Sequence, residues 1–295
     1  MAFYFGGTKT ASFNFNGGID PPPQEDMKIK IELTGEKEIW PFLPNQTNGY
    51  SRGADRPGYN PKTNIKVSVN QGNQPVPNKS VIITIKRIEG TGGHDHLNSL
   101  PLDKCGIIKV GGNKGNPITT TTNQNGKIIT DEILASQVSG KYIIEATLES
   151  NPSIKDTVHI SVRVPGLIDF RSILSNNWVL VQRRPGHNSN HWCNKEMSYL
   201  LSSAIMDFYD WNVGYSKKKN KDPIILAVND MSLIWGGSYE YMGDWNLDKL
   251  HSFHRVGLSV DIERNGSGLS RFEETQLRNY MELNGGIKYP EAQIH

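Results

Sequence analysis

Residues 27–164 alternate between apolar and polar side chains with a period of two. The runs Lys28-Ile-Lys-Ile-Glu-Leu33, Asn64-Ile-Lys-Val-Ser-Val69, Val81-Ile-Ile-Thr-Ile-Lys86, Tyr142-Ile-Ile-Glu-Ala-Thr-Leu148 and Val158-His-Ile-Ser-Val-Arg-Val164 carry it. Side chains on an extended strand point alternately to opposite faces, so such runs bury one face and wet the other. Clusters of Gly, Asn and Pro separate them, Asn125-Gly126 is a tight-turn dipeptide, and Ser139-Gly140 leads into a strand. The pattern predicts an all-β sandwich over 27–164 with no helix of consequence.

The flanks read differently. Residues 1–26 are rich in Gly, Asn and Pro and end in Asp20-Pro21-Pro22-Pro23, a tail with little core of its own. Pro165-Gly166 marks a boundary, after which 167–295 reads as a second, α+β domain. Trp178–Gln182 and Ile224–Val228 read as strands. Met197, Leu200, Leu201, Ala204, Ile205 and Phe208 recur at helical spacing over 195 to about 210, with Asn194 as N-cap. Ser270 and Glu273 form a capping box that opens a helix carrying Phe272, Leu277, Tyr280 and Met281 and stopping at Gly285-Gly286.

Composition narrows the function. The 295 residues suit two domains at about 150 residues each. A net charge of +2 points to no nucleic-acid partner, and Lys217-Lys218-Lys219 with Lys221 reads as a solvated turn. Cys105 and Cys193 fall in different domains, so no disulfide is expected. No stretch approaches the ~18 apolar residues of a membrane helix. No basic-then-apolar export signal opens the chain.

The chemistry concentrates in Asn229-Asp230-Met231-Ser232-Leu233-Ile234-Trp235-Gly236-Gly237 and His251-Ser-Phe-His254-Arg-Val-Gly257-Leu-Ser-Val-Asp261. A turn at Arg255-Val256-Gly257 followed by a strand from Leu258 to Ile262 would aim His254 and Asp261 at one cleft. Asp261, between Val260 and Ile262, would be costly to bury without a partner or metal. Imidazole nitrogen and carboxylate oxygen are ligands for zinc, which in catalytic sites takes three protein ligands and a water.

This combined pattern resembles the signature of penicillin-insensitive murein endopeptidases and is similar to the wider group of zinc D-alanyl-D-alanine peptidases. The resemblance is close over about 35 residues and loose over 167–295. It implies a small α+β zinc-peptidase fold, a Zn2+ cofactor and peptidoglycan peptides as substrate, acting outside the cytoplasm. It implies His254, Asp261 and His295 as metal ligands, His251 beside the metal, and Asp230 and Ser232 in the cleft wall. The family's general base precedes the last ligand as a His two residues before it or a Glu three before it. Gln293 and Ala292 stand there in this chain, which leaves Glu291 as the nearest candidate. That departure keeps a second reading open, a non-enzymatic cell-wall-binding protein on the same fold.

Other polar groups admit more than one role. His187 and His191, in Pro185-Gly186-His187-Asn-Ser-Asn-His191-Trp192, read as loop residues that line a cleft, bind substrate or a metal, or simply shape the loop. Arg183, with Arg184 beside it, is a candidate to steady an oxyanion or a peptide carboxylate. Gly92-Gly93-His94-Asp95-His96 reads as a turn with polar ring contacts. With Thr121–Gly126 and Ser139–Ile144 it resembles bacterial immunoglobulin-like modules of surface proteins, which implies an Ig-like sandwich used for spacing or binding.

Overall fold

In the strand Gly140–Leu148 the predicted alternation becomes burial, with Tyr142, Ile144, Ala146 and Leu148 inside and the residues between them partly exposed. This strand is paired antiparallel on both edges, with Lys155–Val162 and with Ser80–Arg87. Ile144 therefore lies opposite Val158 on one side and Ile85 on the other. A computed structural model describes residues 26–43, 57–94, 99–173, 175–181, 187, 189–238, 245 and 254–286. The described chain is mostly β-sheet with few helices.

Three sheets build the first part. One runs Glu38–Ile39, Lys155–Val162, Gly140–Leu148, Ser80–Arg87, Ile118–Thr121, all antiparallel except the first pair. A second joins Met27–Leu33, Ile65–Gln71 and Lys127–Ile129, and a third joins Lys62–Thr63, Glu132–Ala135, Gly106–Val110 and Asn113–Gly115. All three send apolar side chains into one cluster that includes Ile31, Val67, Ile83, Ile108, Ile133 and Ile144. Burying each such side chain is worth about 1.5–3 kcal/mol. The only helical residues described in this part are the single turn Leu102–Lys104. Asn125-Gly126 forms the expected turn, with Gly126 at φ 65° and its N–H donating to Asn123 O at 2.9 Å.

Among the described residues beyond Pro165-Gly166, two small sheets, the short turn Phe170–Ser172 and the helices Lys195–Lys218 and Arg271–Leu283 share a second apolar core of Phe170, Trp178, Leu201, Phe208, Val228, Leu277 and neighbours. Leu167–Asp169 pairs with Trp192–Asn194, and Leu226–Val228 sits between a parallel Trp178–Leu180 and an antiparallel Ile262–Glu263. Helix α1 (Lys195–Lys218) is capped by Asn194, whose side chain accepts from Glu196 N at 2.9 Å. It runs about two turns past the predicted end. Asn212 explains why: its buried Oδ1 accepts from Ile224 N at 2.7 Å, so the extra length carries a tether to the next strand. Helices α2 (Arg264–Ser267) and α3 (Arg271–Leu283) follow, and α3 starts with the expected capping box.

Two expectations are corrected. The strands at Trp178 and Ile224 are shorter than predicted among the described residues, and no strand begins at Leu258; only Ile262–Glu263 pairs. The reason is the path of the partner. Asp261 still exchanges backbone hydrogen bonds with Asn229 and Asp230, but Met231 then donates to Asn190 O, so Leu258–Val260 have no neighbouring strand to join.

Backbone contacts join the two parts. Val138 and Gly237 form an antiparallel bridge, Ser238 N donates to Gln137 O at 2.8 Å, and Val164 N donates to Trp235 O at 2.9 Å. A third apolar cluster, Trp40, Leu43, Val164 and Val256, seals the joint.

Glu273, at 1% exposure, holds α3 against α1 and the loop after it. Its carboxylate accepts from Ser270 N at 3.0 Å and Ser270 Oγ at 2.6 Å, and pairs with the Lys221 ammonium. Burial alone would raise its pKa, but Lys221 and Ser270 outweigh it and hold the group below the ordinary value. A depressed carboxylate stabilises the fold above its unfolded pKa of about 4.3 and loses that contribution as pH falls through the folded value. Glu273→Gln should therefore cost about 1 kcal/mol at neutral pH, a modest figure because Lys221 is partly open to solvent. Thermal melts should show the gap closing below pH ~4; a gap of equal size at acid pH would mean that packing, not charge, accounts for it.

Candidate functional site

His254 sits just before the predicted turn, and Gly257 closes that turn at φ 67°. The left-handed conformation suits glycine. Space demands it as well: a β-carbon here would lie 2.6 Å from Leu167 Cδ2 and 2.8 Å from Asn194 N. Asn194 N also donates to Gly257 O at 2.8 Å, so the turn is pinned to the start of α1.

The turn brings the His254 and Asp261 side chains together. His254 is 4% exposed, its Nε2 stands 3.4 Å from Asp261 Oδ2, and its Nδ1 lies 3.1 Å from Ser259 Oγ. The Asp261 side chain is 57% exposed, so its carboxylate is not sunk among its apolar neighbours. The pair is thus a buried imidazole facing a carboxylate open to solvent. Burial disfavours the charged imidazole, but the Asp261 carboxylate, with Asp230 behind it, outweighs that and holds His254 above its ordinary pKa.

The spacing bears on whether a metal fits. A charge-assisted N–H···O bond is usually about 2.8 Å long. Two atoms each about 2.1 Å from a tetrahedral zinc stand about 3.4 Å apart. The His254–Asp261 separation has the second value. A ligating imidazole normally gives its other N–H to an oxygen, and Ser259 is placed to accept it. The donor set therefore fits two corners of a zinc site. Among the described residues no group of three His, Cys, Asp or Glu could hold a metal ion. The third ligand implied by the resemblance, His295, lies outside the described residues, as do His251, Glu291 and Arg183.

Asp230 is the hub that sequence reasoning undervalued. It is fully buried, accepts a hydrogen bond from the Asn190 side chain, and its carbonyl accepts from Asp261 N at 2.9 Å. Its charge acts on both His254 and His191. The available signal was a carboxylate directly following the apolar run Ile224–Val228 and Asn229, where a charge is expensive. Ser232 lies beside it, buried, exchanging backbone hydrogen bonds with Trp192 at 2.9 and 3.0 Å.

The loop histidines are not at the surface. His187 is 1% exposed and His191 4%. His187 packs edge-on to His94 at 5.5 Å between ring centroids, and His94 in turn lies 5.4 Å from Trp245. These ring contacts of His94 are with another imidazole and an indole rather than the polar contacts expected for its turn. Asp95 and His96 lie outside the described residues. Burial lowers the pKa of His191, against the opposing charge of Asp230. Cys105 and Cys193 are both free and buried, and burial pushes the Cys193 thiol up to about 12.

No family model matches the chain, and no curated protein matches it in sequence. Among solved structures it is similar to the adhesin InvE of Yersinia pseudotuberculosis, at 11% identity over 83% of this chain and 67% of that one, with a TM-score of 0.32. It is similar to a lipoprotein from Bacteroides thetaiotaomicron at 10% identity, over 49% of this chain and 85% of that one, TM-score 0.25. A PapD-like domain of human CEP192 matches at 12% identity, over 52% and 94% of the two chains, TM-score 0.21.

The site turn yields a direct test. Gly257→Ala forces an alanine into a left-handed backbone and its methyl into Leu167 and Cys193. The combined strain and overpacking should cost about 3 kcal/mol. Denaturant unfolding should show the midpoint dropping, whereas Gly58→Ala, at φ 79° with open space around its Cα, should cost only the backbone share.

Proposed function

We propose that the chain is a zinc-dependent peptidase that hydrolyses peptide bonds of peptidoglycan, carried on an α+β zinc-peptidase fold behind an Ig-like sandwich. The observation that carries this reading is the pairing of His254 with Asp261 across 3.4 Å, within the segment whose sequence resembles the murein endopeptidase signature. His254 and Asp261 would hold the metal with His295. A bound zinc supplies a Lewis acid for the scissile carbonyl and lowers the pKa of a water toward ~7.

The residues around the pair have their own tasks. Ser259 holds the His254 ring with its Nε2 toward Asp261. The Asn229–Asp230 backbone fixes the height of Asp261 against the Leu226–Val228 strand. The exposure of Asp261 leaves that face of the pair open to an incoming peptide. Among the described residues no helix is long and apolar enough to cross a membrane.

The full chain should bind one zinc per molecule, and His254→Ala or Asp261→Ala should each weaken that binding by at least tenfold in chelator competition. A muropeptide digest read by mass spectrometry should show new fragments that vanish in His254→Ala. A protein that holds no stoichiometric zinc sinks the proposal. Bound zinc with no fragments would favour the cell-wall-binding reading, which the departure at Ala292 and Gln293 keeps alive.

A further inference from the structure

The chain that carries the candidate site meets the sandwich at points spread along it. Gly93 lies against its first half: a β-carbon there would stand 3.0 Å from Ile234 Cγ2. Gln137 then meets both halves. Its carbonyl accepts from Ser238 N at 2.8 Å, and its Oε1 accepts from Arg255 Nη1 at 3.0 Å. Ser238 follows the stretch that begins at Asn229, and Arg255 directly follows His254. One sandwich residue thus spans the two stretches from which the site is built.

Between those stretches the chain enters the sandwich itself. Trp245 is 7% exposed and belongs to the apolar cluster of the three sandwich sheets, not to the core of its own part. The Arg87 guanidinium lies 5.9 Å from the centre of its ring, and the Lys104 ammonium donates to its carbonyl oxygen. A buried indole is among the largest apolar contacts that one side chain can make. Domains joined by a linker alone move against each other, whereas a shared apolar core couples them.

The anchoring reaches the His254–Asp261 pair by short paths. Gly237 N donates to Arg255 O at 2.7 Å, which ties the two stretches together beside Gln137. Gly257, which closes the turn after His254, is held through its carbonyl by Asn194 N at 2.8 Å. Asp261 takes its place from Asn229 and Asp230, at the end of the Leu226–Val228 strand. The sandwich therefore grips the His254 side of the pair and the second part grips the Asp261 side.

We propose that the sandwich is a working part of the candidate site rather than a spacer in front of it. Gln137 is a positioning residue: with Trp245 as the anchor, it holds the His254 turn at its distance from Asp261. The 3.4 Å separation of the pair is then a joint property of the two parts. This role holds whatever chemistry the pair performs.

The test follows backbone amides of the full, metal-free chain by native-state hydrogen exchange and needs no activity. Gln137→Ala should speed exchange at the Gly237 and Asn194 amides about tenfold, while Ile144 in the sandwich and Val181 in the second part keep their wild-type rates. The 15N resonances of the His254 ring should move in the same variant. Gln137→Glu keeps an acceptor for Arg255 and should restore the protection. The wild type supplies a check that survives if Gln137→Ala fails to fold. Under rising denaturant, the Ser238, Gly237 and Asn194 amides should exchange through one common opening with one slope. Unchanged amides and an unmoved His254 ring in the folded variant overturn the proposal. So does acceleration shared equally by Ile144 and Val181, no recovery in Gln137→Glu, or separate openings in the wild type.

Discussion

The Gly140–Leu148 strand is hydrogen-bonded along both edges, and the rest of the molecule is organised from it. Its inward residues hold the centre of the sandwich core. At its start, the buried Tyr142 hydroxyl donates to Val138 O at 2.7 Å. Val138 itself bridges to Gly237. One continuous stretch of chain thus runs from the middle of the β core to the joint with the segment that carries the candidate site. A loss of packing around Tyr142 would be felt at that joint as well as in the core.

The site inherits its shape from backbone pairing more than from side-chain fit. Asn229 N donates to Asp261 O at 2.7 Å and Asp261 N donates to Asp230 O at 2.9 Å, so two carboxylate residues are locked at adjacent rungs. One carboxylate faces solvent and the other is buried beside Asn190. Environment separates the two residues: Asp261 is open to a ligand, while a buried Asp230 shapes the electrostatics of the two histidines around it.

Much of this was legible in the sequence because the signals were local. Period-two runs such as Tyr142–Leu148, the Asn194 cap and the Ser270/Glu273 box each depend on neighbours a few residues away, and each appears in the fold. The pairing of His254 with Asp261 was also readable, since one turn joins them. What could not be read depended on distant segments. Leu258–Val260 looked like a strand, but a strand exists only where another lies beside it, and Met231 turns away toward Asn190. The length of α1 hung on Asn212 reaching Ile224. The burial of His191 depended on Phe170 and on Met231, residues far from it in the chain.

The joint between the two parts is built where side chains are missing. A β-carbon on Gly236 would lie 2.5 Å from Val164 Cγ2, and one on Gly237 would lie 2.7 Å from Ser139 N. Contact there is made largely by peptide groups, the Arg255 and Gln137 carbonyls and the Ser139 N–H among them, beside the Val164 side chain. Such a seam forbids the smallest addition at two positions: a chain that keeps this joint must keep glycine at both, whatever chemistry its site carries.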